Sequence, residues 1–211
     1  MKKVSLLLII IVFLLGILPT TINLAGPFTS KISVVRSDIS PYRNAFANTL
    51  IEMAEGSPYL LPSQPIPSED QQIVKLANEL TAGLYSNQEK SKAIFTWVAQ
   101  NITYDVETFY GNKNFYLDHP NAVEVLNSKL AMCMGYSRLN AALHRASGIE
   151  AKVVFGEGHA WNEIKINGKW QTQDTTFAAG FLNEVSQTFI KQYMPHYFSN
   201  TDVTKEGEYD W

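Results

Sequence analysis

The chain has one cysteine, Cys133, in 211 residues, so no internal disulfide can staple its fold. It has almost no charge imbalance: 17 Lys and Arg against 20 Asp and Glu leave −3, with a pI near 5.8. Without a basic footprint to grip phosphates, nucleic acid is not an expected partner. Four histidines, His119, His144, His159 and His196, lack metal-ligand spacing, and no Asp-rich calcium loop occurs, so neither a metal nor another cofactor is expected. Repeats and low-complexity tracts are missing too. So is an apolar run of full bilayer length: the stretch from Val4 to Leu18 stops at Pro19 after about 15 residues, where a spanning helix needs roughly 20.

What is there begins with that run. Met1-Lys2-Lys3 ahead of it gives the charged start and apolar centre of a secretory signal. Extending it to Leu24 takes in Pro19, Thr20, Thr21 and Asn23, and Ala25 with Asn23 two before it is a poor cleavage site. Residues 1–25 therefore read as a signal peptide or a membrane anchor, with attachment through residues 4–24 in the second case. Either way the product is exported, secreted or held at the cell envelope. No cysteine follows the run to carry a lipid. With 45% hydrophobic and 12% aromatic residues, the remainder is long enough for one well-filled core.

Ser40-Pro41 supplies an N-cap and a first-turn proline for a helix carrying Tyr42, Phe46, Leu50 and Met53 up to Gly56. Prolines 58, 62, 65 and 67 then remove amide donors, which makes Ser57 to Pro67 extended and irregular. Residues 26–67 are thus read as an N-terminal helix and a Pro-rich segment, and 68–211 as the main domain. Ser68-Glu69-Asp70-Gln71 and Ser86-Asn87-Gln88-Glu89 have capping-box spacing ahead of two amphipathic helices. Ile102 to Asp105 is strand-like, a third helix covers Asn121 to Ser128, and a fourth runs from near Cys133 to Gly148. Strands follow at Glu150 to Phe155, His159 to Ile166 and Lys169 to Asp174, the last two joined by Asn167-Gly168. Helices first and strands after is an α+β order, with helices packed on an antiparallel sheet.

The two-residue hairpin fixes register: Ile166 lies opposite Lys169 and, counting back, Trp161 opposite Asp174 and His159 opposite Thr176. All four then project from one side, and His159 and Asp174 become diagonal neighbours with Cβ atoms roughly 7 Å apart, within reach of a hydrogen bond. The plain alternative is a structural histidine beside a turn-forming aspartate. Cys133 opens a helix, where free amides and the helix dipole favour a thiolate and are placed to hold an oxyanion. It also reads as a buried apolar residue between Met132 and Met134. His119, His144 and His196 read as structural, Trp97 as core. Tyr104 reads as core or as an oxyanion donor, and the aromatic tail from Phe189 to Trp211 as a cover over the domain.

Taken together, Cys133-Met134-Gly135-Tyr136-Ser137, His159-Ala160-Trp161-Asn162-Glu163 and Asp174-Thr175-Thr176-Phe177 resemble the three motifs of the transglutaminase-like superfamily in its compact bacterial form. The resemblance spans roughly Ser68 to Phe177. It implies a papain-like α+β core with Cys133 as nucleophile, His159 as general base and acid, and Asp174 holding the imidazole. One departure is Ala131, where such motifs carry glycine two residues before the cysteine. The implied chemistry is acyl transfer or hydrolysis at peptide or protein carboxamides through a thioester, with a peptide or protein at the cell envelope as substrate. The competing reading is a catalytically silent envelope-binding module on the same scaffold. Oligomeric state is not legible.

Overall fold

The computed structural model describes residues 57–111, 120–199 and 204–209, all within the unit Ile51–Trp211. The expected helix after Ser40, the segment 1–25 and Trp211 lie outside the described residues. In chain order the elements are α1 (Gln71–Thr81), α2 (Asn87–Asn101), β1 (Thr103–Tyr104), α3 (Val106–Gly111), α4 (Ala122–Ser128), β2 (Leu130–Ala131) and α5 (Cys133–Ala146). Then come β3 (Ala151–Gly156), β4 (His159–Ile166), β5 (Lys169–Gln173), α6 (Thr175–Ala179), β6 (Gly180–Asn183), β7 (Thr188–Lys191) and β8 (Gly207–Glu208). This is the α+β papain-like arrangement expected: helices packed on an antiparallel sheet of order β5-β4-β3-β8. No helix among the described residues is long and apolar enough to cross a membrane.

Local chemistry sets most element ends. Ser86 and Glu89 form the expected capping box at α2, each satisfying the other's backbone amide. Asn121 and Glu124 make a second one at α4. The expected box at Ser68 does not form. Pro67 accepts from the Asp70 amide in a turn, Ser68 is buried in it, and Asp70 itself caps α1 by accepting from the Gln72 amide at 2.8 Å. Gly148, at φ +74°, closes α5 in the left-handed conformation that a side chain resists.

The segment 57–67 is irregular apart from a 3-10 turn at Pro58–Leu60, but it is anchored. Ile66 is fully buried in the core, the Pro65 carbonyl accepts from the Ala122 amide, and the Leu61 carbonyl accepts from Arg145. At the other edge of the sheet, β8 pairs with β3 and is held by Lys152–Glu208 at 2.9 Å and the Tyr59 hydroxyl on Glu208 at 3.0 Å. The tail does cover the domain: Phe198 enters the core beside Phe95, and Tyr209 packs on Phe155.

α5 is the spine. Twelve of its residues are buried, and it lies against α1, α2, α4 and the β3–β4 pair. Buried Ala160, Asn162, Ile164 and Ile166 alternate along β4 and form its inner face. Asn162 stitches strand to helix, accepting from Asn140 and donating to the Ser137 and Lys152 carbonyls, all at 2.9 Å.

Candidate active site

Cys133 is the first residue of α5. Met132 at the N-cap offers no side-chain acceptor, so the first-turn amides are left without a side-chain cap. The helix start is fixed from behind by β1–β2 pairing and by Gly135, where a Cβ would stand 2.7 Å from that of Ala131. Ala131, the departure from the motif, is buried against that glycine. The Ser137 hydroxyl donates to the Cys133 carbonyl at 2.8 Å, tightening the first turn.

His159 opens β4. The β4–β5 ladder keeps the expected register from Asn162–Gln173 to Ile166–Lys169, around Asn167 and Gly168 at φ +53° and +77°. It does not reach the residues it was expected to pair. β5 ends at Gln173, Asp174 leaves the ladder to cap α6, and Thr176 lies inside that helix, so Trp161–Asp174 and His159–Thr176 are not strand pairs. The reason is the cap itself: Asp174 Oδ1 accepts from the Phe177 amide at 2.9 Å, and one residue cannot both continue a strand and start a helix.

Even so, imidazole and carboxylate meet. His159 Nε2 and Asp174 Oδ2 are 2.6 Å apart, with the carboxylate fully buried and the imidazole 13% exposed. With Nε2 so engaged, Nδ1 is the ring nitrogen left for sulfur, and Cys133 lies close enough to the ring to act on its charge. The ring is also clamped, lying parallel to Phe177 at 4.3 Å between centroids and 7° between planes, with Trp161 at 5.9 Å. Burial opposes charge on this ring, but the hydrogen bonds to Asp174 and Cys133, followed by the charges on both, outweigh it and raise the imidazole from 6.5 to about 10. Asp174 and Cys133 thus act on the same imidazole.

Phe177 and Asn162 are the positioning residues that spacing alone did not single out. Both lie in the quoted motifs. An aromatic residue three positions after an N-cap aspartate was the available sign of the first, and an asparagine on the inner face of an apolar strand that of the second. Tyr104 is buried, stacked on Phe189 and edge-on to Phe109. Burial, and then the charge of nearby Cys133, push its phenol well above its ordinary range, so it keeps its proton. Trp97 is half-buried against the core with Lys129 over its ring at 4.6 Å. His144 is fully buried in α5 and hydrogen-bonded through both nitrogens, a structural residue. A cavity of about 370 Å³ opens against His159, whereas a wider groove of about 790 Å³ past Lys92 and Trp97 touches none of the three residues.

An α+β core with a cysteine at a helix start and a buried histidine–aspartate pair fits a thiol-dependent catalytic family. Residues 74–175 match the model of the Transglutaminase-like superfamily. Among curated proteins it is similar to the Kyphoscoliosis peptidase of Mus musculus, 26% identical over 140 residues, and to that of Homo sapiens, 24% identical over 140 residues. Each match covers 59% of this chain and 21% of the relative, so the chain spans about a fifth of the length of those proteins. Among solved structures it is similar to a TGase, at 26% identity and a TM-score of 0.44, over 68% of this chain and 39% of that one.

Proposed function

We propose that the protein is an exported thiol enzyme that opens carboxamides of peptides or proteins at the cell envelope, with Cys133 as nucleophile, His159 as acid and base, and Asp174 as the group that orients and charges the imidazole. The observation that carries this is the hydrogen bond from His159 to the buried Asp174, with Cys133 acting on the same imidazole and that imidazole held protonated at neutral pH. The reactive form of a cysteine nucleophile is the thiolate.

The thiolate attacks the carboxamide carbon. The resulting oxyanion is met by amides at the start of α5. His159 then gives its proton to the departing nitrogen, the C–N bond breaks, and a thioester remains on Cys133. The neutral imidazole next takes a proton from the second nucleophile: water gives hydrolysis, and an amine gives a new amide. Similarity to curated peptidases supports the first outcome and the superfamily supports either. Residues 1–25 supply the export signal or, through 4–24, a membrane attachment.

The test is to incubate the protein with a glutamine-containing peptide library and a labelled amine and to read masses. Shorter peptides mean hydrolysis and amine adducts mean transfer. Loss of either with Cys133→Ser and with His159→Ala supports the assignment. No product, together with iodoacetamide labelling of Cys133 no faster than a free thiol at pH 6, makes the protein a silent binding module instead.

A further inference from the structure

The cavity against His159 has walls from five further parts of the chain, and apart from the Thr176 hydroxyl they are mainly aromatic and aliphatic. Tyr104 comes from β1, Phe177 from α6, Leu182 from β6, Phe189 from β7, and Met194 and Tyr197 from the segment after it. None of its lining residues is Lys, Arg, Asp or Glu, and apart from tyrosine the ionisable group it meets is His159 itself. At about 370 Å³ it sits near the lower end of ligand sites, which run roughly from 300 to 1,000 Å³, a size suited to one large side chain rather than a whole small molecule.

The cavity is a built feature. Gly180 allows β6 and β7 to close tightly enough to make its wall: a Cβ there would stand 2.1 Å from the Ile190 carbonyl oxygen and 2.9 Å from the Phe189 ring. The Phe189 ring in turn stacks on Tyr104 at 5.7 Å. Because His159 forms part of the wall, whatever fills the cavity lies next to the imidazole.

We infer that this cavity is a specificity subsite that seats a bulky apolar side chain, aromatic or long aliphatic, belonging to the peptide substrate at the first or second position from the attacked carbonyl. The inference rests on the catalytic reading above. A charged side chain would lose its hydration there and find no opposite charge, whereas an aromatic or leucyl side chain trades water for aromatic walls. Differences of a few methylenes in such pockets carry selectivities of roughly 10- to 200-fold.

The experiment uses the full chain and peptidyl chloromethyl ketones carrying Gly, Ala, Leu, Phe, Lys or Glu at each of those two positions. Sulfur displaces chloride to form a C–S bond, so the inactivation rate reads seating without the natural substrate. Phe and Leu at one position should inactivate at least about 10-fold faster than Ala, with Lys and Glu slower than Ala. Leu182→Trp, which fills the cavity, should lower the Phe-to-Ala ratio at least about threefold, and Met194→Trp fills it from another wall should the first variant fail to fold. A flat series, a preference for charge, or a ratio that survives both substitutions overturns the subsite. A flat series with fast iodoacetamide labelling of Cys133 leaves the catalytic reading standing, whereas slow labelling removes that reading and the subsite with it.

Discussion

His144 and His159 are both taken out of water by the same core, and the core sets them in opposite charge states. His144 Nδ1 lies 2.7 Å from the Asn140 carbonyl, which only accepts, so this nitrogen carries the proton; Nε2 then accepts from the Ser91 hydroxyl at 2.8 Å. Both partners are uncharged, burial dominates over the help from Asn140, and the imidazole falls from 6.5 to about 4. His159 has the buried Asp174 carboxylate on one side and sulfur on the other, and rises to about 10 despite burial. Burial alone therefore does not decide whether an interior histidine is charged. The charge of its partners does, and this separates a neutral histidine from a charged one in the same few layers.

The sharpest way to break that contrast is Asp174→Asn. The amide keeps an oxygen for the Phe177 backbone, so the cap on α6 survives while the charge beside His159 is lost. We expect kcat/KM to fall roughly 10²- to 10⁴-fold, and the iodoacetamide rate of Cys133 to lose its reactivity below neutral pH. An unchanged pH profile would mean that the thiol alone sets the charge on the ring.

The two histidines should also shape stability in opposite directions. His159 is raised, so the folded state holds a proton that the unfolded chain has released: its contribution is complete below about pH 6.5 and is lost as pH climbs to about 10. His144 is lowered, so the unfolded chain takes up a proton that the folded state refuses, and stability falls as pH drops from 6.5 to about 4. Glu89 and Glu208, both lowered, add to the acid side only near and below about 4.5. The melting temperature should peak near pH 6.5 and fall several degrees on each side. His159→Gln should flatten the alkaline limb and leave the acid one, and thermal melts across pH decide it.

Ser91→Ala tests whether the structural histidine is independent of the reactive one. It strips Nε2 of His144 of its donor and leaves the Gln173 amide, now 2.8 Å from Ser91 Oγ, without its acceptor, all in a fully buried setting. Urea unfolding should show a loss of roughly 1–3 kcal/mol. Alkylation of Cys133 at neutral pH should change less than about twofold, because no charge near His159 has moved. A collapse of alkylation would mean that the Gln173 contact, one residue before Asp174, carries the two regions together.

What was legible in the sequence was what short-range chemistry decides. The Ser86–Glu89 box, the Asn167-Gly168 turn and the limits of β4 each depend on a few neighbouring residues. The second box, at Asn121, had the same spacing and was readable. Ser68 failed because a buried turn after Pro67 moved the helix start to Asp70, and the end of β5 failed because the capping preference of Asp174 overrode strand continuation. The short β6–β7 pair and β8 depend on contacts with distant Tyr104, Phe155 and Lys152, which no local pattern encodes. His159 and Asp174 were expected to be neighbours across a ladder; they are neighbours because the ladder stops and a cap turns the carboxylate back. Nothing local to Cys133 announced its approach to His159; only the resemblance of three motifs pointed to it.

The smallest effect concerns the stack on His159, where Phe177 contributes a face to a ring that is charged, while His144 has no such ring contact among the described residues. A cation over an aromatic face gains roughly 0.5–2 kcal/mol depending on desolvation, and this pair is nearly parallel and mostly buried. Phe177→Leu retains bulk and the backbone bond to Asp174 but removes the π face. We expect the His159 titration, followed by NMR of the ring protons, to move down by less than about 1.5 units, and kcat/KM to fall a fewfold with the fold intact. If titration and rate do not move, the stack only packs the ring and the carboxylate alone makes His159 differ from His144. If the shift equals that of Asp174→Asn, the aromatic face is a full partner in setting the charge, and the rule drawn from the two histidines must include faces as well as charges.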